Sequence, residues 1–73
     1  MALSTRNRLA GEVTGVVKGD AAARVSLRVG DNTTIVTLIT RESADELGLE
    51  PGQQITALVK ATDVMIKTDE GLA

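Results

Sequence analysis

Histidine, cysteine and the aromatic residues are absent from this chain of 73 residues, and proline occurs once. Without cysteine no disulfide can staple the fold, and without histidine a structural zinc site loses its usual ligands. The same absences remove histidine as general base and cysteine as nucleophile, which leaves enzyme chemistry hard to place. Without Phe, Tyr or Trp the core must be assembled from Val, Leu, Ile, Ala and two Met, with no large ring contacts. The missing rings also take away the stacking platforms on which single-stranded nucleic acid is held. No apolar run is long enough to cross a bilayer, and the N-terminal stretch lacks the apolar core of a signal peptide, so a cytoplasmic protein with no membrane partner is expected. A net charge of −2 and a pI near 4.9 argue against a nucleic-acid partner.

Size sets the next constraint. So short a chain forms one domain, and it removes only about 60% of its unfolded surface from water on folding. Small domains compensate with disulfides, metals or association. With the first excluded and the second disfavoured, subunit association remains.

Alternation of apolar and polar residues then marks the elements. Leu9, Val13 and Val17 are expected on one face of a first strand loosened by Gly11 and Gly15, which signal a bulge or bend. Lys18-Gly19-Asp20 reads as a turn, after which Val25, Leu27 and Val29 point inward and Arg24, Ser26 and Arg28 outward. Gly30-Asp31-Asn32 is a hairpin signal leading to Thr33–Ile39, apolar on both faces and so expected at the centre of a sheet or beneath an oligomer contact. The segment "TRESADELGLEPG" changes the pattern. Thr40 can cap a helix of about two turns, Ser43 with Glu46 offers a second capping box, Gly48 stops it, and Leu47 and Leu49 are its expected anchors. A Pro51-Gly52 turn introduces Gln54–Lys60, with Ile55, Ala57 and Val59 on one face. A fifth strand is expected at Val64–Lys67, before a polar tail from Thr68 to Ala73. Five short strands with one helix between the third and fourth predict an all-β fold, a small OB-like Greek-key barrel.

The acids Glu42, Asp45, Glu46 and Glu50 read as a solvated face of the short helix rather than a catalytic pair or a cation loop. Hydrogen-bond donors gather in three places: Ser4, Arg6 and Asn7 ahead of the first strand, Thr40 and Ser43 at the helix start, and Lys60 after the fourth strand. Each has an ordinary alternative, since hydroxyls at a helix start are common caps and single basic residues are commonly solvated. Together they suit an oxyanion, which needs donors and no competing negative charge.

Three separated segments, "STRNRLAGEVTGVVKG", "ITRESADELGL" and "PGQQITALVKATDVMI", resemble the Mop family of small molybdate-binding proteins, the molbindins, whose module is also called a TOBE-type domain. The resemblance runs through residues 3 to 67 without evident insertions, so the whole chain is expected to be a single domain with its ordered core there. It implies a non-catalytic homo-oligomer, a hexamer built as a trimer of dimers, with molybdate, or tungstate of nearly the same shape, bound between subunits. By position it assigns Ser4, Arg6 and Asn7 to one part of the anion site, with a main-chain contact open to Thr5, and Lys60 and Ala61 to the same part. Thr40 and Ser43 are implied to reach the anion from a neighbouring subunit, with Glu42 turned away. A second kind of site near a threefold axis would involve Lys18 and Gly19. Reversible storage of the anion is the expected role. A regulatory or assembly module whose oligomer state the anion sets is the alternative, disfavoured because no ATPase or DNA-binding segment accompanies the 73 residues. An oligonucleotide binder and an enzyme rank below both.

Overall fold

In the computed structural model, which describes residues 7–69, four antiparallel strands form one sheet in the order β3-β2-β1-β4. They are β1 (Asn7–Lys18), β2 (Ala22–Val29), β3 (Thr33–Thr40) and β4 (Gln54–Val59), and α1 (Arg41–Leu47) lies between the last two. Strand β2 obeys its alternation, with Val25 and Leu27 buried and Arg24 and Arg28 exposed. Val13, Val25 and Leu27 are the centre of the core, and Val16, Ile35, Ile39, Leu49, Ile55 and Ala57 pack around them. Each fully buried aliphatic side chain of this size contributes about 1.5–3 kcal/mol.

Strand β1 departs from alternation at Thr14. Val13 pairs with Leu27 while Gly15 pairs with Ser26, so Thr14 is the extra residue of a bulge, and its hydroxyl donates to the Ser26 carbonyl at 3.2 Å. One inserted residue reverses which side chains face the core. The predicted face of Leu9, Val13 and Val17 is corrected accordingly: Val16 packs inward, and Val17 is 58% exposed. Gly11 marks a close approach rather than a bend. A Cβ built there would stand 2.6 Å from the carbonyl oxygen of Arg28 on β2.

Strand β3 is an edge strand rather than a central one, pairing with β2 alone among the described residues. Its two apolar faces separate: Ile35 and Ile39 pack on the core, whereas Val36 and Leu38 are exposed on the other side. At its end Thr40 caps α1, its Oγ1 accepting from the Ser43 amide at 3.0 Å. The Ser43–Glu46 box is not used, because Ser43 already lies inside the first turn. Gly48 ends the helix with φ 61, a left-handed conformation that costs glycine no Cβ clash. A helix of seven residues buries one side chain, Ala44; Leu49 beyond it packs on the core, and the expected anchor Leu47 is 62% exposed. The turn at Pro51-Gly52 is tied to β1, with the Gly52 amide donating to Val13 O at 2.8 Å and the Val13 amide to Gln53 O at 2.9 Å.

Among the described residues the expected fifth strand and closed barrel are not seen. After β4 the chain makes a single 3-10 turn (Ala61–Asp63), and Val64, Met65 and Ile66 beyond it are exposed, outside any strand. A strand exists through its ladder, and this segment has no ladder partner in the described chain.

Candidate functional site

Pairing of β1 with β4 decides where the first donor group goes. Asn7 is the register partner of Val59, and its side-chain amide donates to the Val59 carbonyl at 3.1 Å. An amide nitrogen carries two protons, so the second can still be offered elsewhere. Lys60 and Ala61 follow directly after Val59, with Lys60 exposed at the start of the 3-10 turn. The structure thus brings Asn7, Lys60 and Ala61 to one corner of the sheet. Ser4, Thr5 and Arg6, which immediately precede Asn7, lie outside the described residues.

Thr40 and Ser43 form the second group, at the opposite end. The Thr40 hydroxyl donates to Ser43 Oγ at 2.8 Å while accepting from the Ser43 amide. With the Thr40 proton engaged, the Ser43 hydroxyl proton is the one the pair can present to an acceptor. Glu42, between them in sequence, is exposed.

Register measures how far apart the two groups are. Asn7 begins β1 and Lys18 ends it; Lys18 pairs with Ala23, and Ala22 pairs with Thr40. At ~3.3 Å per residue the path along β1 is ~36 Å, comparable with the 41 Å longest dimension of the molecule. The two groups therefore stand at opposite ends of β1.

Lys18 and Gly19 belong to a third arrangement beside α1. Lys18 Nζ donates to Asp45 at 2.7 Å, Arg41 Nε pairs with the same carboxylate at 3.2 Å, and Arg41 also donates to the Gly19 carbonyl at 3.1 Å. The Gly19 amide donates to Ala22 O at 2.8 Å. Asp45 is held below its ordinary carboxylate range, chiefly by the Lys18 hydrogen bond, with the charges of Arg41 and Lys18 reinforcing it and partial desolvation opposing. Here the two residues fasten the helix to the β1–β2 turn. Arg41 is not among the residues expected from the sequence to matter here, although its i,i+4 spacing to Asp45 is a signal for this pair. Arg28, opposite Glu12 across the β1–β2 ladder, pairs with it at 2.9 Å on the outer surface. No group of three or more potential cation ligands occurs among the described residues.

Among the described residues the chain is a small antiparallel β module with hydrogen-bond donors at two separate corners. Comparison with known proteins is specific: residues 3–66 match the TOBE domain. The chain is 44% identical over 66 residues to molybdenum-pterin-binding protein 2 of Clostridium pasteurianum, covering 90% of this chain and 97% of that one. Among solved structures, a molybdate-binding protein from Sporomusa ovata superposes with a TM-score of 0.86 at 38% identity, covering 93% of this chain and all of that chain (100%). The cytoplasmic molybdate-binding protein ModG, solved with molybdate bound, gives a TM-score of 0.77 at 39% identity over 84% of this chain and 43% of its own. The chain belongs to the TOBE domain family and, within it, to the small Mop proteins, or molbindins.

Proposed function

We propose that the protein binds molybdate, or the isosteric tungstate, as a non-catalytic store inside the cell, and that each anion sits between chains of a homo-oligomer, a hexamer arranged as a trimer of dimers. Kinship with proteins named for molybdate and molybdenum-pterin binding supports the ligand. The observation that carries the shared site is the separation of the two donor groups. Asn7, Lys60 and Ala61 occupy one end of the sheet, and Thr40 and Ser43 the other. If both groups act on one anion, they come from different chains.

The chemistry suits a tetrahedral dianion, whose oxygens only accept. Arg6 and Lys60 match its two negative charges, and charge-assisted hydrogen bonds are about twice as strong as neutral ones. Ser4, Asn7 and Ser43 add neutral donors, and the small side chain of Ala61 leaves its backbone approachable. Lys18, committed to Asp45 in this fold, is the weaker candidate for a second site with Gly19.

Native mass spectrometry with molybdate, tungstate and sulfate tests the proposal. Expected are a hexamer and stoichiometric retention of the first two anions at concentrations where sulfate is lost. Equal retention of all three reduces the interaction to general anion binding and overturns it. Molybdate at a hundredfold excess over Kd should also stabilise the fold by about 2.7 kcal/mol, visible as a raised Tm.

A further inference from the structure

Helix α1 has little apolar anchorage. Ala44 is the one side chain it buries, and Leu47 at its end is 62% exposed. Leu49, beyond the helix, packs on the core and ties down the far end. A helix this short owes its order to what it packs against, and one methyl group fixes its orientation weakly. At the end that carries Thr40 and Ser43, polar bonds take over, and they converge on Arg41. Its amide donates to the Ala21 carbonyl at 3.0 Å, its Nη1 to the Gly19 carbonyl at 3.1 Å, and its Nε to Asp45 Oδ2 at 3.2 Å. Lys18 Nζ, next to Gly19 in sequence, donates to Asp45 Oδ1 at 2.7 Å, so the four residues close a circuit between the helix and the β1–β2 turn. Arg41 follows Thr40 directly, and Thr40 is bonded twice to Ser43, once through its amide and once through its hydroxyl.

We infer that Arg41 is a positioning residue for the anion: by clamping the helix to the Gly19 carbonyl and to Asp45 it fixes the direction in which Ser43 presents its hydroxyl proton, and it does so without touching the anion itself. Hydrogen bonds weaken steeply as their angle departs from linear, so a small rotation of the first turn is enough to spoil that donor. The guanidinium is turned towards the turn and the carboxylate, and Asp45 beside it offsets its charge and repels a dianion from it. Arginine suits the task because its planar fork holds separated donors in a fixed relation, which the single nitrogen of a lysine does not reproduce. Each of these exposed bonds is weak alone, so the clamp sets orientation more than it adds stability. The backbone bond from the Arg41 amide to Ala21 survives any replacement of the side chain other than proline, which leaves the helix attached while its clamp is removed.

This inference rests on the molybdate site proposed above, to which Ser43 belongs. Calorimetric titration of the full chain with molybdate tests it, on the parent protein and on Arg41→Lys, Arg41→Ala, Ser43→Ala and the double variant R41K/S43A, with Tm of each measured without ligand. Arg41→Lys keeps the charge and loses the fork. It should raise Kd by about threefold or more, nearly as much as Arg41→Ala does. In the Ser43→Ala background the same change should raise Kd no further, because the hydroxyl it orients is gone. A merely structural role lowers Tm and leaves Kd at the parent value. A role through charge or direct contact lets Arg41→Lys keep the parent affinity, or multiplies its full factor onto that of Ser43→Ala. Each of these results overturns the positioning and leaves the anion site standing. Unaltered affinity in Ser43→Ala also overturns it, since the group that Arg41 is held to orient would not act on the anion. A parent chain that binds no molybdate overturns site and positioning together. If Arg41→Ala does not fold, Arg41→Lys, alone and with Ser43→Ala, decides.

Discussion

The side-chain amide of Asn7 donates to the backbone carbonyl of Val59 at 3.1 Å, across 52 positions of sequence. That bond joins the start of β1 to the end of β4 and brings Asn7 to the strand end that Lys60 follows. Removing a charge from a partly dehydrated anion site leaves other charges uncompensated, whereas a solvated surface charge contributes little. Arg6→Ala and Lys60→Ala should therefore each weaken molybdate binding at least tenfold, ~1.4 kcal/mol. Arg24→Ala and Arg28→Ala, on the outer face of β2, should leave it nearly unchanged. Calorimetric titration of the four variants, with the assembly checked for each, gives the ranking; comparable losses at Arg24 or Arg28 would point to diffuse charge instead of a built site.

Thr40 and Ser43 should separate stability from binding. Thr40 Oγ1 accepts the Ser43 amide, so Thr40→Ala removes an N-cap and should cost ~1 kcal/mol of folding stability. Ser43→Ala keeps that cap and removes the hydroxyl that can donate outward, so it should weaken the anion by about 1 kcal/mol with a smaller effect on stability. Urea unfolding without ligand and titration with molybdate read the two effects separately. A Ser43→Ala variant with unaltered affinity would take Ser43 out of the site.

Gly11 should tolerate no side chain. The 2.6 Å approach to Arg28 O involves backbone, which cannot swing aside as a flexible side chain can. Gly11→Ala should destabilise by about 1–3 kcal/mol, the usual range for overpacking. Gly15→Ala is the comparison, since a Cβ there meets nothing within 4 Å. Chemical denaturation of both variants measures the difference, and equal stability would mean that β1 and β2 can move apart at no cost.

Asp45 gives a pH dependence of definite sign. Its carboxyl is held below the ordinary range by Lys18 and Arg41, so its contribution is present above the unfolded carboxylate pKa and is lost as the pH falls through the lower, folded value. Asp45→Asn should lower Tm modestly near pH 7, and the gap to the parent protein should begin to narrow at about pH 4 and keep narrowing as the pH falls towards the folded value. The groups are exposed, so salt should narrow the gap as well. Melting curves from pH 3 to 7 decide it. A gap that stays constant across this range and is insensitive to salt would assign the effect to packing rather than to charge.

Local patterns were enough to delimit much of this protein. The run Arg24–Val29 alternates and became β2, because a period of two can bury only one face of a sheet. Thr40 and Gly48 bounded the helix, because capping is a bond between near neighbours. The candidate donor segments around Asn7, Thr40 and Lys60 were legible by residue type. Tertiary structure decided what depends on partners distant in sequence. The bulge at Thr14 exists in the pairing of β1 with β2, so inversion of Val16 and Val17 could not be read from β1 alone. The edge position of β3 and the bare segment Val64–Ile66 follow from which strands find ladders. Propensity makes a segment fit to be a strand, but hydrogen bonds from another segment make it one. The distance between the two donor groups is likewise a property of register, since the pairings of Asn7 with Val59 and of Ala22 with Thr40 send them to opposite ends of the sheet.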